Sequence, residues 1–355
     1  MISRRNLIRG TILATASTAV LSACGLGGTS SSSGKGGDAG KPTAFTIYTA
    51  RDKALAESVV ADFEKANPNW EGMATILTLG AQEALERVRA EKANPQGDIW
   101  WGGTRQQLSA AAADGVLAPA PQDIIDAVPE ESRDKDGLWI GEMKLAELFM
   151  INTDVMSKDK APKDWDDLLG ADMKDNLIIR DVEASGTMRS IYCAMIDRAD
   201  PKAPEAGYEW LKKLDANTKA YAANPTDLYQ RLSRQEAPLS LWNLQDIMLQ
   251  HYGDFSMLDA VVPESGAPML IDGLAKIKDG PGSAGADKFI SFLMSEGEQK
   301  KLAEEQYQIP TVELSDEPKW LAELGLKEME VDWDRVAENE SDWIGYWAQN
   351  IKGKG

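Results

Sequence analysis

Three short segments of the sequence combine a hydroxyl side chain with an arginine. They are Thr49-Ala50-Arg51, Gly103-Thr104-Arg105 and Ser185-Gly186-Thr187-Met188-Arg189. A serine or threonine at the start of a helix commonly satisfies a free backbone N–H, so the hydroxyls alone need only a structural explanation. An arginine in the first turn opposes the helix dipole and is favoured there when an anion binds the same helix end. The segments therefore indicate a site for carboxylate or phosphoryl oxygens, which arginine's planar fork suits.

The segment Ser185-Gly186-Thr187 is the strongest of these anion-site candidates. Gly186 lets the backbone approach a ligand closely, and the two hydroxyls together with the helix N–H groups can surround three oxygens. Arg189 lies two residues into the predicted helix, where it either faces the anion or points outward. We expect Ser185 and Thr187 to hold the anionic group of a ligand.

Four further side chains stand where strands are predicted to end or return. Trp101 and Trp242 could stack on a ligand or cover a cation, or they could pack in the core. Asn243 could hydrogen-bond a polar ligand. Asp272 either receives an amine of the ligand or is an acidic residue of a hinge. These residues complete the predicted binding set.

The side chains that most enzymes require are scarce in this sequence. His251 is the single histidine, and Cys193 lies in an apolar helical run typical of a core cysteine. There is no Gly-x-Ser-x-Gly motif, and acid pairs such as Asp332/Asp334 stand in polar helix-start contexts. We therefore predict a binding protein with no catalytic residue, no metal site and no cofactor.

An alternation of strand-like and helix-like segments positions these candidates. The first unit predicts strands at 44–49, 73–79 and 98–101 and helices at 53–67, 81–92 and 104–113. This order is typical of βαβ units, which build a mostly parallel sheet with helices on both faces. The candidate turns then lie at the carboxyl ends of the strands, where ligands bind in such sheets.

A second α/β unit follows a strand at 145–151 that leaves the first. Strands are predicted at 177–179, 219–222 and 239–242, and helices at 187–198, 206–217, 226–234 and 244–252. Two strands, 258–262 and 269–276, are expected to return to the first unit before helices at 284–294, 296–306 and 333–352. A chain that crosses out and back makes two lobes with a cleft between them, a common place for a small ligand.

The first 42 residues carry export and anchoring signals. Three arginines precede a short apolar run at 11–21, and residues 21–24 (LSAC) resemble the bacterial lipobox, in which the cysteine is lipidated. Residues 3–8 (SRRNLI) also resemble a twin-arginine signal, so the export route stays open. We predict a signal peptide at 1–23, lipidation of Cys24 and a flexible Gly/Ser-rich tether at 24–42.

The net charge of the exported chain argues against two classes of binding partner. Removing three of the 38 basic residues with the signal leaves 35 against 57 acidic ones, a net charge of −22. Such a surface repels nucleic acid and anionic lipid. We expect a monomer held at the outer face of the cell membrane by its lipid alone, with no nucleic-acid partner.

Several segments resemble the extracellular solute-binding proteins of ABC importers that have the periplasmic-binding-protein type II fold. They are FTIYTARD (45–52), FEKANP (63–68), residues 97–119 (GDIWWGGTRQQLSAAAADGVLAP) and residues 271–310, with a strand, a Gly-Pro turn, two helices and an Ile-Pro. The similar branch includes ferric-binding proteins and relatives for phosphonates, sugar phosphates and phosphoglycerate. The resemblance covers roughly residues 44–350.

This resemblance implies a two-lobed α/β fold with mostly parallel sheets flanked by helices, two crossover strands and a central cleft. It places lobe 1 at 43–143 plus 263–312, lobe 2 at 144–262, and a C-terminal helical segment at 313–355. It also implies an ABC permease with its ATPase as the partner, and no enzymatic activity. The loop at 185–187 matches the family's second-lobe anion loop in position and type.

The sequence departs from the ferric-binding members of that branch. Those proteins bind iron with an adjacent Tyr-Tyr pair, whereas the corresponding segment here, residues 241–245, reads LWNLQ. We therefore expect an organic anion with a phosphoryl or phosphonate group, of the aminoethylphosphonate, sugar phosphate or phosphoglycerate type. Ferric iron is the alternative, followed by a polyamine.

Overall fold

The structure, a computed structural model, describes residues 42–200 and 202–354. The strands in these ranges are β1 Phe45–Thr49, β2 Ala74–Thr78, β3 Ile99–Thr104, β4 Leu117–Ala118, β5 Ile140–Asn152, β6 Leu177–Arg180, β7 Thr218–Ala222, β8 Leu239–Asn243, β9 Leu258–Val261, β10 Met269–Ile277 and β11 Ile309–Pro310. The predicted signal peptide, Cys24 and nearly all of the tether lie outside the described residues.

The predicted helices begin and end close to their expected bounds. The helices are α1 Lys53–Ala66, α2 Ala81–Ala90, α3 Arg105–Ala113, α4 Gln122–Ala127, α5 Gly186–Ala199, α6 Glu205–Asn217, α7 Pro225–Ser233, α8 Leu244–Tyr252, α9 Ser283–Leu293, α10 Glu296–Gln306, α11 Lys319–Leu324 and α12 Trp333–Asn350. Two short helices, α4 and α11, were not predicted. Short 3₁₀ turns occur at Pro68–Trp70, Glu130–Ser132, Trp165–Leu169 and Ala171–Met173.

The strands form one continuous, curled arrangement that divides into two halves along β5. The first half has the order β2-β1-β3-β10-β5, and the second continues as β5-β8-β6-β7. We call the half built on β1 to β4 and β10 the first lobe, and the half built on β6 to β9 the second lobe. The two-lobed fold is therefore confirmed, whereas the lobe boundaries stay predictions.

Parallel pairing is confined to the outer strands of each half. Strand β1 runs parallel to β2 and β3, and β6 runs parallel to β7 and β8. The crossover strands β5 and β10 pair antiparallel with each other and with their other neighbours. The expected parallel units are present, and the two connecting strands make the centre of the sheet antiparallel.

Two expectations about the connecting strands need correction. Strand β5 begins at Ile140 rather than near residue 145, because pairing with β10 extends it through the polar residues Glu142 and Lys144. Strand β9 was expected to return to the first lobe, but it pairs with the far end of β5, from Asn152↔Leu258 to Phe149↔Val261. Of the two strands expected to return to the first lobe, β9 and β10, only β10 pairs with a first-lobe strand, β3.

Separate apolar cores stabilise the two lobes. Side chains of α1 and α9, including Phe63 and Phe289, pack in the first lobe. Side chains of α5, α6 and β8 pack in the second, and α12 adds Trp343 and Trp347 to that core. Cys193 is buried there, which confirms its predicted core position. In the described ranges, no helix is long and apolar enough to cross a membrane.

Candidate functional site

A cavity of about 530 Å³ lies where the lobes meet. The turn after β1 contributes Arg51 and Asp52 to its wall, the first turn of α8 contributes Gln245 and Asp246, and the segment that ends α10 contributes Gln306 and Gln308. Gln245 Nε2 donates to the carbonyl of Gln306 at 3.0 Å, so the α8 and α10 sides of the cavity are joined.

The sheet topology explains which candidate turns are neighbours, and of these turns the one at Ala50 and Arg51 lines the cavity. Thr49 of β1 lies opposite Trp101 of β3 in a parallel ladder, so the turns after these strands are neighbours. In the second lobe, β6 and β8 are parallel, so the starts of α5 and α8 lie at the same sheet edge. Carboxyl ends of parallel strands form ligand-binding edges, as the sequence predicted.

Arg51 forms the centre of a buried ion-pair network. Its Nη2 donates to Oε2 of Glu142 at 2.6 Å and to Oδ1 of Asp272 at 2.7 Å. Trp101 Nε1 donates to the same Oε2 of Glu142 at 2.6 Å, and the guanidinium lies 5.9 Å from the Trp101 ring centroid. Three predicted ligand contacts therefore satisfy one another through Glu142, which the sequence analysis missed.

An irregularity between β5 and β10 places Glu142 in this network. Asp272 pairs with Met143 and Gly273 pairs with Gly141, so Glu142 is an extra residue without a partner in β10. Such a bulge bends the strand and re-aims a side chain. Gly273 permits the close approach, since a Cβ there would lie 2.1 Å from the Ile140 carbonyl oxygen.

Burial controls the protonation of this network. Desolvation raises the pKa of Asp272 to about 6, although the positive charge of Arg51 counteracts part of that rise. Desolvation disfavours the charged form of Arg51, but Asp272 and Glu142 outweigh it and raise the pKa of the guanidinium above its usual value. Arg51 is therefore a fixed cation whose charge is already matched inside the protein.

The other first-lobe candidates have local structural partners. The buried Thr49 accepts from the Arg51 N–H at 3.1 Å, and Thr104 caps α3 by accepting from the Gln107 N–H at 3.4 Å. A side chain at Gly103 would lie 2.8 Å from the Trp100 ring. Arg105 donates to Oδ1 of Asp334 at the start of α12, at 3.0 Å. Packing and capping thus account for these residues without a ligand.

The second-lobe loop has both a structural role and free space. Ser185 caps α5 by accepting from the Met188 N–H at 3.2 Å. Gly186 is exposed, and a Cβ there would meet nothing within 4 Å. In the described part of the chain, the Thr187 hydroxyl has no hydrogen-bond partner, whereas Arg189 pairs with Glu340 of α12. Room for a ligand therefore exists at Gly186 and Thr187, and Arg189 faces α12.

Pairing of all three arginines corrects one step of the sequence argument. The sequence argument takes these arginines to be favoured by an anion at the same helix end, but Arg51, Arg105 and Arg189 each pair with carboxylates of the protein. Their presence no longer argues for an anionic ligand. The helix N-termini and hydroxyls remain as its candidate donors.

The turn from β8 to α8 holds a half-buried carboxylate, Asp246, beside the cavity. Oδ2 of Asp246 accepts from Trp242 Nε1 and from Asn243 Nδ2, each at 2.9 Å, and lies 3.5 Å from the Tyr229 hydroxyl. Asn243 also caps α8 by accepting from the Asp246 N–H at 2.8 Å. Burial raises the pKa of Asp246, and the donors from Asn243 and Trp242 counteract that rise. Trp242 and Asn243 thus orient Asp246.

Two further polar residues near the cavity were missed by the sequence analysis. Glu147 of β5 is fully buried, and neither of its carboxyl oxygens has a hydrogen-bond partner in the described residues. Burial, reinforced by the charge of Asp246, raises the pKa of Glu147 well above its usual value. Gln308 is 2% exposed, and its amide is likewise without a partner in that part of the chain. The sequence feature that could have identified Glu147 as a candidate site residue is its position inside an otherwise apolar strand.

The site shows no arrangement typical of a resident metal. Within residues 42–200 and 202–354, no group of three or more His, Cys, Asp or Glu side chains is placed to hold a metal ion. The segment 241–245 (LWNLQ) contains no tyrosine.

Two α/β lobes, two crossover strands and a polar cavity between the lobes define a binding protein of the periplasmic type II class. The sequence profile of the bacterial extracellular solute-binding protein family matches residues 98–339. The chain belongs to this family.

Named relatives of the chain differ in the solute that their names give. "Iron uptake protein A1" of Synechocystis is 27% identical over 292 residues, 77% of each chain. A "Putative 2-aminoethylphosphonate-binding periplasmic protein" of Salmonella typhimurium is 25% identical over 280 residues, covering 76% of this chain and 80% of the relative. The structure of a ferric binding protein from Campylobacter jejuni matches with a TM-score of 0.73 at 21% identity, covering 86% of this chain and 98% of the other.

These relationships establish the general role of the protein. It is an ABC-type extracellular solute-binding protein, of a family that is exported, binds small ligands and works with ABC permeases. The family is one of transport proteins rather than enzymes.

Proposed function

We propose that this protein captures a small organic anion with a phosphonate or phosphoryl group and delivers it to an ABC permease. The observation that carries the proposal is the pair of helix N-termini, α5 and α8, at one edge of the second-lobe sheet, where the first turn of α8 lines the interlobe cavity. Free backbone N–H groups at a helix N-terminus attract anions, which makes these ends suited to phosphonate oxygens.

In this proposal, the loop at Ser185, Gly186 and Thr187 binds the anionic group. Ser185 accepts a hydrogen bond as a cap, and its hydroxyl proton can still be donated to a ligand. The open space at Gly186 admits the ligand's oxygens to the backbone N–H groups. Thr104, which caps α3 in the first lobe, meets the ligand from the opposite side. Arg105 and Arg189 pair with carboxylates of α12 and do not contact the anion.

The same ligand then closes the cleft. A solute that touches both lobes binds the closed form more tightly than the open form, and that difference in affinity shifts the population towards closure. The 2-aminoethylphosphonate named for one relative fits the phosphonate class.

Ferric iron is the second candidate, because one relative is named for iron uptake. The acidic side chains Glu142, Glu147, Asp246 and Asp272 around the cavity are suited to a cation. The segment 241–245 supplies no tyrosine, so an iron complex here would lack the phenolates that the resemblance associates with ferric sites.

We further propose that the mature chain begins at a lipidated Cys24 and functions as a monomer tethered to the outer face of the membrane. The LSAC segment after an apolar run and the Gly/Ser-rich residues behind it support this arrangement. The mass of the mature N-terminal peptide tests it, since an unmodified Cys24 would contradict the anchor.

A thermal-shift panel tests the choice of ligand class. It contains phosphonates, sugar phosphates, phosphoglycerates, ferric citrate and putrescine, each at about a hundred times its dissociation constant or at millimolar concentration. A ligand at that ratio stabilises the native state by about 2.7 kcal/mol. We expect the largest shift from a phosphonate or phosphate ester. A shift confined to ferric citrate, with a visible charge-transfer band, would select iron instead.

A further inference from the structure

Side-chain polar atoms in and near the cavity wall have no hydrogen-bond partner among the described residues. Oδ2 of Asp246 receives the donors from Trp242 and Asn243, whereas no hydrogen bond reaches Oδ1 from the described residues. Glu147 and Gln308 are 0% and 2% exposed, and their polar side-chain atoms have no partner in the same part of the chain. Asp246 and Gln308 line the cavity. Because an unmet buried polar group destabilises a protein, the unpartnered amide of Gln308 beside the open Oδ1 of Asp246 indicates a missing donor.

Strand register brings these three residues together. Gln308 directly precedes Ile309, which pairs antiparallel with Lys144 of β5, so residue 308 lies opposite residue 145. Side chains two residues apart on a strand share a face, so Gln308 and Glu147 stand on the same face of the sheet. Glu147 in turn pairs with Asn243, whose side chain holds Asp246. The group therefore spans β5, β11 and the start of α8.

The charge of this region favours a cationic partner. Among the described residues that line the cavity, Arg51 is the one basic side chain, and it is already paired with Glu142 and Asp272. Asp246 and Glu147 have no basic side chain as a hydrogen-bond or ion-pair partner in the described residues. The remaining field at the cavity is negative.

We propose that Asp246, Glu147 and Gln308 form a subsite for a protonated amine carried by the ligand. An ammonium group has three N–H donors and no acceptor, which suits the unpartnered oxygens of Asp246 and Gln308 in the cavity wall. Oδ1 of Asp246 and the Gln308 amide oxygen contact the ammonium, and Glu147 lies behind them on β5. This inference rests on the proposed function and narrows it to an amine-bearing solute, with the anionic end at Ser185 and Thr187.

The subsite also reassigns the amine contact predicted from the sequence. Asp272 was the candidate receiver, but its Oδ1 is bound to Arg51 at 2.7 Å. Asp246 instead has a fixed orientation and an unused oxygen. Orientation before binding reduces the entropy lost on association.

Calorimetry with two matched ligands tests the subsite on the unmodified chain. The probes are 2-aminoethylphosphonate and ethylphosphonate, which differ in the amine alone. We expect the amine to improve affinity about tenfold or more, the effect of one hydrogen bond to a charged group. Asp246→Asn and Gln308→Met should each reduce this preference, measured as the ratio of the two affinities in the same variant. Asp259→Asn is the matched control, because Asp259 lies on β9, pairs with Lys158 and does not line the cavity.

Each outcome separates the subsite from the proposed function. Equal affinity of the wild-type chain for the two phosphonates overturns the subsite and leaves the anion proposal standing. Binding of putrescine but of neither phosphonate, lost in Asp246→Asn, supports the subsite and overturns the anion proposal. No binding of any of the three overturns both. The wild-type comparison does not depend on the folding of a variant.

Discussion

At the scale of single residues, Arg51 was predicted to contact an anionic ligand, and it lies at the cavity but forms ion pairs within the protein. Its place after the first strand made it a candidate for an anion, and the structure pairs it with Glu142 and Asp272 instead. The residue type and its location at the cavity were predictable. Its partners were not, because the bulge at Glu142 depends on pairing with a strand about 130 residues away in the sequence.

Arg51→Met should destabilise the native state. The change leaves Glu142 and Asp272 buried without a cation, and breaking a buried ion pair in this way costs about 3–5 kcal/mol. Urea denaturation at neutral pH measures the loss. Arg89→Met is the matched control, since Arg89 also pairs with two carboxylates, Glu86 and Asp114, on an exposed surface where the effect is at most about 1 kcal/mol.

The destabilisation by Arg51→Met should also depend on pH. The folded-state pKa of Asp272 is raised to about 6, above the value of about 3.9 for a free aspartate. A raised pKa means that the ionised carboxyl opposes folding, so stability is lost as the pH rises through that range. Without Arg51 the pKa rises further. The loss should therefore shrink as the pH is lowered from above neutral towards about 6, below which Asp272 is protonated in both folded proteins. A pH-independent loss equal to that of Arg89→Met would contradict the buried network.

At the scale of elements, the alternation of strands and helices was predictable because each segment carries its own apolar period. Strands β1 and β3 and helices α1 and α5 begin within two residues of their expected starts. The partners of β9 and the full length of β5 were not predictable, since both depend on strands distant in the sequence. Helix α12 was predicted, but its contacts with Arg105 and Arg189 were not.

Arg105→Gln should leave ligand affinity within about threefold of wild type. Arg105 pairs with Asp334 of α12, so its charge is used between the first lobe and the C-terminal helix. This pair is partly exposed, and such pairs contribute about 1 kcal/mol or less. Calorimetry on the ligand with the largest thermal shift measures the change. A loss of more than tenfold would mean that Arg105 leaves Asp334 and contacts the ligand in the closed form.

At the scale of the whole molecule, the two-lobed fold follows from the order of elements, and the family is established by the profile match over residues 98–339. The sequence predicted the cleft but not the acidic residues Glu142 and Glu147 near it. The acidic groups Glu142 and Glu147 both lie on β5, in a strand pattern that gives no sign of which face meets the cleft. Glu142 and Asp272 pair with Arg51, whereas Asp246 and Glu147 have no cationic partner among the described residues, which is consistent with a proposed ligand that carries both signs of charge.

The most direct test of the central claim is calorimetry on a double variant of the anion loop, Ser185→Ala plus Thr187→Val. Its ligand affinity is compared with that of the wild type. Each hydrogen bond lost to a charged group weakens binding by about 1.5–3 kcal/mol, so affinity for the phosphonate ligand should fall by roughly two decades or more. The control is Ser295→Ala, which removes an equivalent cap at the start of α10, about 16 Å along that helix from Gln306.

Loss of a cap costs about 1 kcal/mol of stability in either variant, so their melting temperatures should fall by similar amounts. The account predicts severe loss of affinity in the Ser185/Thr187 variant and unchanged affinity in Ser295→Ala. Wild-type affinity in both variants would contradict it, because the loop would then be a helix cap and not the site of the anion.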